Sequence, residues 1–345
     1  MTRLTRALAL SALLALCGCF APRGDSELAI PRSHENWTGL VSEVRAFAQR
    51  MGFEETKNFR TFSSETKEFP FCGYVSRSYL PYSYEDPAIT WLNAHTKEEC
   101  HAYGEDADVT FGTTEAVAER ETPVTLSMLV APLNRFLYLV VHEDCHDQFG
   151  LPYGIEEPLC NVIAFKAIAA FGEARFKSMA ERRAIQRLAC DGAAHSRVTV
   201  ASYERLAALY EQHEQARLSQ TALLKERARI FRTAEKQLSW PRGSMNNVWI
   251  ANAMTYSRHY ALIERVFEAL DRDLARTVAF FKQVDAVKPS PAEVVAKHRL
   301  ATDSSVEFVR AYEAAVVGTI ERELAAVISA KDVRRSREGG NPGAL

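Results

Sequence analysis

The sequence predicts an α+β protein, mainly α, with a small β region near the N-terminus and a long helical C-terminal half. Three observations carry that prediction. Between Phe59 and Phe111 aromatic and turn residues mix, as in Phe69-Pro70-Phe71-Cys72-Gly73-Tyr74-Val75-Ser76, which reads as three or four short strands. Leu133, Phe136, Leu137, Leu139, Val140 and Val141 form an apolar segment that opens at Pro132 and meets no helix breaker before Gly150. From Leu206 to Phe231 apolar residues return near a 3.5-residue period with many charges between them, the pattern of a long helix with one buried face.

In chain order, Arg3 and Arg6 precede an apolar run from Ala7 to Leu16, followed by Cys17-Gly18-Cys19. Residues 1–18 read as a signal peptide, too short to span a membrane as a mature helix. Leu three before Cys19 and Gly directly before it resemble a bacterial lipobox. That resemblance implies lipidation of Cys19, and Phe20 in place of Asp implies sorting to the outer membrane, facing the periplasm. The other reading is an ordinary secretory signal cleaved near Ala21. Residues 19–35 have the composition of a flexible tether. Trp37 to Met51, with Leu40, Val41, Val44, Phe47 and Ala48 on one face, is expected to be an amphipathic helix.

After the β region and the apolar helix, a second helix is expected from Pro158 to about Phe171. Further helices are expected from Glu173 to Cys190, Ser202 to about Leu238, Asn246 to Ala269, Asp271 to Val284, Pro291 to Ala301 and Val306 to Ala330. Trp240-Pro241-Arg242-Gly243-Ser244 interrupts the series. This gives one main domain over 36–285, C-terminal helices over 286–330 and a charged, Gly-rich disordered tail over 331–345.

Forty-two basic against forty-four acidic side chains leave a net charge of −2, with nothing to favour nucleic acid as a partner. No second stretch approaches 18 apolar residues, so lipid on Cys19 would be the only membrane anchor. With Cys17 and Cys19 set aside, Cys72, Cys100, Cys145, Cys160 and Cys190 remain, and export permits disulfides among them. Cys145 and Cys160 can bridge if their two helices pair, or can be two small buried apolar residues.

The end of the apolar helix reads His142-Glu143-Asp144-Cys145-His146. Residues four apart on a helix differ by only about 40° in direction and about 6 Å in rise, so both imidazoles can face one point. Two ring nitrogens on one point suit a zinc ion. Glu143 lies beside that face, where its carboxylate can take a proton from a water made acidic by the metal. The alternative is a core helix with two satisfied histidines and a surface carboxylate. Gly150-Leu151-Pro152-Tyr153-Gly154 can turn the chain so that the next helix returns antiparallel, bringing Glu156 and Glu157 toward the histidines.

HExxH followed by a glutamate on the next helix resembles the gluzincin zinc peptidases. The resemblance implies a zincin-like core and Glu157 as third ligand, with Asn161 four residues later as the outer group that steadies a histidine. Glu156 is the rival ligand. More closely, Phe69 to Ser76, Pro123-Val124-Thr125-Leu126-Ser127-Met128-Leu129, the HExxH with Glu157, and Asn246-Asn247 with Ala253-Met254-Thr255-Tyr256 resemble a family of zinc aminopeptidases among bacterial lipoproteins. Asp144-Cys145 departs from the small apolar pair usual between the histidines. The resemblance implies one zinc ion, a peptide substrate and hydrolysis of its bonds. It further implies a tyrosine that stabilises the oxyanion, for which Tyr256 is the candidate and His259 the rival; Tyr256, Tyr260 and Ile263 can equally share a core face. A carboxylate for the substrate α-amine is implied as well, with Glu115 and Glu121 as candidates. An endopeptidase, and a lipid-anchored envelope scaffold without catalysis, are the competing functions.

Overall fold

A computed structural model describes residues 37–64, 69–104, 106–114 and 121–338, with side chains to 331. The expected lipid attachment at Cys19 and the candidate Glu115 lie outside these residues. The first helix, α1 (Trp37–Arg50), buries Val41, Val44 and Ala48 against the core. A three-stranded antiparallel sheet follows, in the order β3 (Thr90–Leu92), β2 (Phe69–Ser76), β4 (Ala107–Thr114). Its register sets Cys72 opposite Phe111 and Gly73 opposite Trp91. The short helix α2 (Lys97–His101) begins with a Thr96–Glu99 capping box, and its Cys100 is bridged to Cys72 in β2. A two-residue parallel pair joins β1 (Phe62–Ser63) to β5 (Val124–Thr125), which leads into α3 (Leu126–Val130).

The centre is an antiparallel helix pair, α4 (Leu133–His146) and α5 (Tyr153–Arg175). Its direction shows in the contacts Tyr138–Phe165, Tyr138–Asn161 and His146–Glu156, where one number rises as the other falls. Cys145 and Cys160 are disulfide-bonded across the pair. Helix α5 starts five residues before the expected Pro158, because Pro152 supplies the turn and Pro158 sits within the helix with only one missing donor.

The remaining helices are α6 (Met179–Glu214), α7 (Gln220–Leu238), α8 (Asn247–Ser257), α9 (Tyr260–Ala269), α10 (Leu274–Val287), α11 (Pro291–His298) and α12 (Val306–Glu338). Two boundaries differ from expectation. No break falls between Cys190 and Ser202, and Gly192 within this helix lies so close to the Phe165 ring that a Cβ would fall 2.4 Å from it. The break comes instead at 215–219, where Ala216 adopts positive φ and Ser219 caps α7 through Ala222 N–H. The expected single stretch from Asn246 to Ala269 is likewise two helices, meeting at Arg258 and His259.

The helices after position 286 are not a separate layer. Val316, Ile320 and Leu324 of α12 complete the same core as α1, α4, α5, α9 and α10, and the helix continues through residues expected in the tail. Glu313 of α12, 1% exposed, takes up Tyr82 Oη (2.9 Å), Arg258 (3.3 Å) and His259 Nε2 (3.0 Å). It also lies against Gly154 in the first turn of α5, where a Cβ would fall 2.1 Å from Glu313 Oε1. Gly154→Ala is therefore expected to cost about 1–3 kcal/mol through overpacking against a pinned carboxylate. Chemical denaturation checks this; an unchanged midpoint would show that Glu313 can yield.

The sheet is docked on α7 and α8 by buried charge. Arg227 Nη1 reaches Asp108 Oδ2 at 2.5 Å, the same carboxylate accepts the Asn247 N–H, and Asn246 caps α8 while accepting from Thr110. These anchors hold the first half of β4 against α8.

Candidate metal centre

His142 and His146 project from the last turn of α4 and Glu157 from the second turn of α5. His142 Nε2 lies 3.3 Å from His146 Nε2, and Glu157 Oε2 lies 3.2 Å and 3.6 Å from the two nitrogens. His142 and Glu157 are 5% and 3% exposed. Four-coordinate bonds of about 2.0–2.1 Å would set ligand atoms about 3.3–3.4 Å apart, so the three atoms already stand at the spacing of a tetrahedral metal's ligands. Glu157 Oε2 is buried without a hydrogen-bond donor, a costly state that a cation relieves. The donor set and the orphaned oxygen both fit a metal ion; among the described residues this is a group of His and Glu able to hold one.

Glu156 has a different place from that of a ligand. Its Oε1 meets His146 Nδ1 at 2.8 Å, on the far side of the ring, and its Oε2 accepts the Leu151 N–H at 3.2 Å. The carboxylate thus fixes ring orientation and tautomer, the task expected of Asn161. Asn161 Oδ1 instead accepts from Tyr138 Oη at 2.6 Å, and the Tyr138 ring stacks on His142 with centroids 4.9 Å apart. A residue four after Glu157 on α5 reaches α4 one turn before His142, so it steadies the histidine through a neighbour.

The departures within the motif have partners of their own. Asp144 points away from the triad to Arg45 Nε (3.2 Å) and Thr56 Oγ1 (2.5 Å), tying the motif turn to α1 and the following loop. Cys145 carries the bridge to α5.

A cavity of about 720 Å³ opens over the triad, lined also by Glu143, Tyr153, Glu156, Tyr256 and, from the end of β4, Thr113 and Thr114. Burial pushes the Glu143 carboxyl above its ordinary range, against the pull of His142 and His146. Burial opposes the Glu157 carboxylate too, but contact with His142, the charge of His146 and the Tyr153 hydroxyl hold it below the usual range. For His146 burial is outweighed by the Glu156 hydrogen bond and by Glu157 and Glu143, which raise it to about 9. Tyr256 is pushed well above its ordinary value by burial and the Glu157 charge, so its hydroxyl remains a proton donor.

Tyr153 was not anticipated. Its hydroxyl interacts with both Glu157 and Tyr256, linking ligand and candidate donor. The signal was its spacing of four before Glu157, hidden by placing the helix start at Pro158. His259 is turned to Glu313 and is not part of the cavity. Glu121 is also elsewhere, paired with Lys57 at 2.8 Å with its side chain 66% exposed. Its separation from the motif by α3 carries it to the surface.

The fold is therefore an α+β, mainly helical scaffold presenting a two-histidine, one-glutamate site with two further carboxyl groups, those of Glu143 and Glu156, at hand. Residues 54–297 match the family described as "Putative aminopeptidase", and the chain belongs to that family. No curated protein and no solved structure matches the chain significantly.

Proposed function

We propose that this chain is a zinc-dependent peptidase with a zincin-like core, acting as an aminopeptidase. The observation that carries the reading is the convergence of His142, His146 and Glu157 at ligand spacing in one cavity with Glu143 and Tyr256. A bound zinc ion supplies Lewis-acid polarisation of the scissile carbonyl and lowers the pKa of a water. Glu143 accepts the proton of the attacking water and passes it to the leaving amine. Tyr256 donates its hydroxyl hydrogen bond to the carbonyl oxygen as negative charge develops there. Glu156 and the stacked Tyr138 keep the two imidazoles in place. Glu115, which lies outside the described residues, is kept as the proposed carboxylate for the substrate α-amine. With Glu121 on the surface that role rests on one residue, and an endopeptidase is the second reading.

Metal analysis of the purified protein tests the site: about one zinc per chain is expected, lost in Glu157→Gln. A metal-free wild-type protein in zinc-containing buffer would remove the proposal. Cleavage of free but not N-acetylated peptides selects the aminopeptidase over the endopeptidase. Attachment to the outer membrane through lipid on Cys19 belongs to the same proposal. No helix among the described residues is long and apolar enough to cross a membrane. Cys19→Ala should therefore release the protein from membrane fractions, and unchanged retention would refute the lipid anchor.

A further inference from the structure

The space over the triad does not end at Tyr256. Arg135, Tyr138, Asn252 and Tyr256 line it and also line a second cavity of about 320 Å³, between α5, α6 and α8. The walls beyond them carry several aromatic rings among small and hydroxyl side chains. Trp240 and Trp249 meet edge to face with centroids 4.4 Å apart, and Phe165, stacked on Tyr138, closes the side toward α5. No carboxylate lines the cavity among the described residues. Tyr260, 2% exposed, contributes a hydroxyl that is buried without a hydrogen-bond partner.

Such a chamber is suited to a flat, largely apolar group, and among its polar atoms the unpartnered Tyr260 hydroxyl is open to a substituent on it. Its distance from the triad is one side chain: Tyr138 stacks on His142, and Asn161, in its wall, follows Glu157 by one turn of α5. We infer that this second cavity is a specificity pocket, which receives a large aromatic side chain of the substrate residue beside the scissile bond. The inference rests on the peptidase reading of the triad and adds the substrate class.

The test measures binding apart from turnover. In the full chain carrying Glu143→Gln, calorimetry compares L-phenylalaninamide with glycinamide. Burying the ring should make the first bind about 10- to 100-fold more tightly. Ala253→Trp, which fills the cavity from its half-buried position on α8, should reduce that preference to within about three-fold. Leu188→Trp fills it from α6 and serves should the first variant fail to fold. Equal binding of the two amides, or a preference that survives the filling, overturns the pocket. Hydrolysis by the wild-type chain is scored separately. A phenylalanine preference in a protein that cleaves no peptide keeps the pocket and removes the enzyme, whereas equal cleavage of phenylalanyl and glycyl peptides keeps the enzyme and removes the pocket.

Discussion

Glu143→Gln is expected to lower peptide hydrolysis by about 10²–10⁴-fold while the metal stays bound. The amide has the size and shape of the carboxylate, so packing at this 7% exposed position is kept. Its oxygen cannot take a proton at neutral pH, however, and the attacking water loses its base. The proposed ligand atoms belong to His142, His146 and Glu157, so metal content should match the wild type. Burial raises the Glu143 carboxyl, which predicts in addition that activity falls on the acid side as the base becomes protonated. Parallel assays of zinc content and peptide turnover decide the matter: turnover at the wild-type rate would exclude Glu143 as the base, and loss of zinc would make it a ligand.

Tyr256→Phe should lower kcat by about 10²-fold with little change in KM or zinc content. The ring remains and with it most of the packing, while the hydroxyl that faces the cavity is gone. Because Tyr256 also interacts with Tyr153, which touches Glu157, a purely structural role would show itself as altered zinc affinity. Zinc retention with a fall in kcat isolates the donor role. His259→Ala provides the contrast. His259 is held on Glu313 at 3.0 Å, so its loss should reduce stability before it reduces turnover per folded molecule. Full activity in Tyr256→Phe together with inactivity of folded His259→Ala would move the donor to His259.

Much of the site was readable because it is local. Helix periodicity alone places His142 and His146 on one face and Glu143 beside them, and the turn residues between Gly150 and Gly154 bring the next helix back. The family resemblance favoured Glu157 over Glu156, and the geometry separates the two: Glu157 faces both Nε2 atoms while Glu156 takes the outer nitrogen of His146. The coarse class, a small sheet within a mainly helical chain, was equally legible from alternation and from the 3.5-residue pattern.

What required the tertiary structure was every contact between residues far apart in sequence. The orphaned environment of Glu157 Oε2 and the passage of Asn161 to Tyr138 depend on how α4 and α5 cross, and the pairing of Glu121 with Lys57 on two loops meeting 64 positions apart, which no local pattern encodes. Glu313 lies 159 positions after Gly154 yet fits against it, and Asp108 meets Arg227 from a strand to a helix 119 positions later. The sequence by itself determined the candidate ligand types, their spacing and the helices that carry them, because those follow from the chain's own periodicity. Only the tertiary structure decided which carboxylate faces the imidazoles, which tyrosines enclose the cavity and which charges are buried, because burial and pairing are properties of surfaces that meet only on folding.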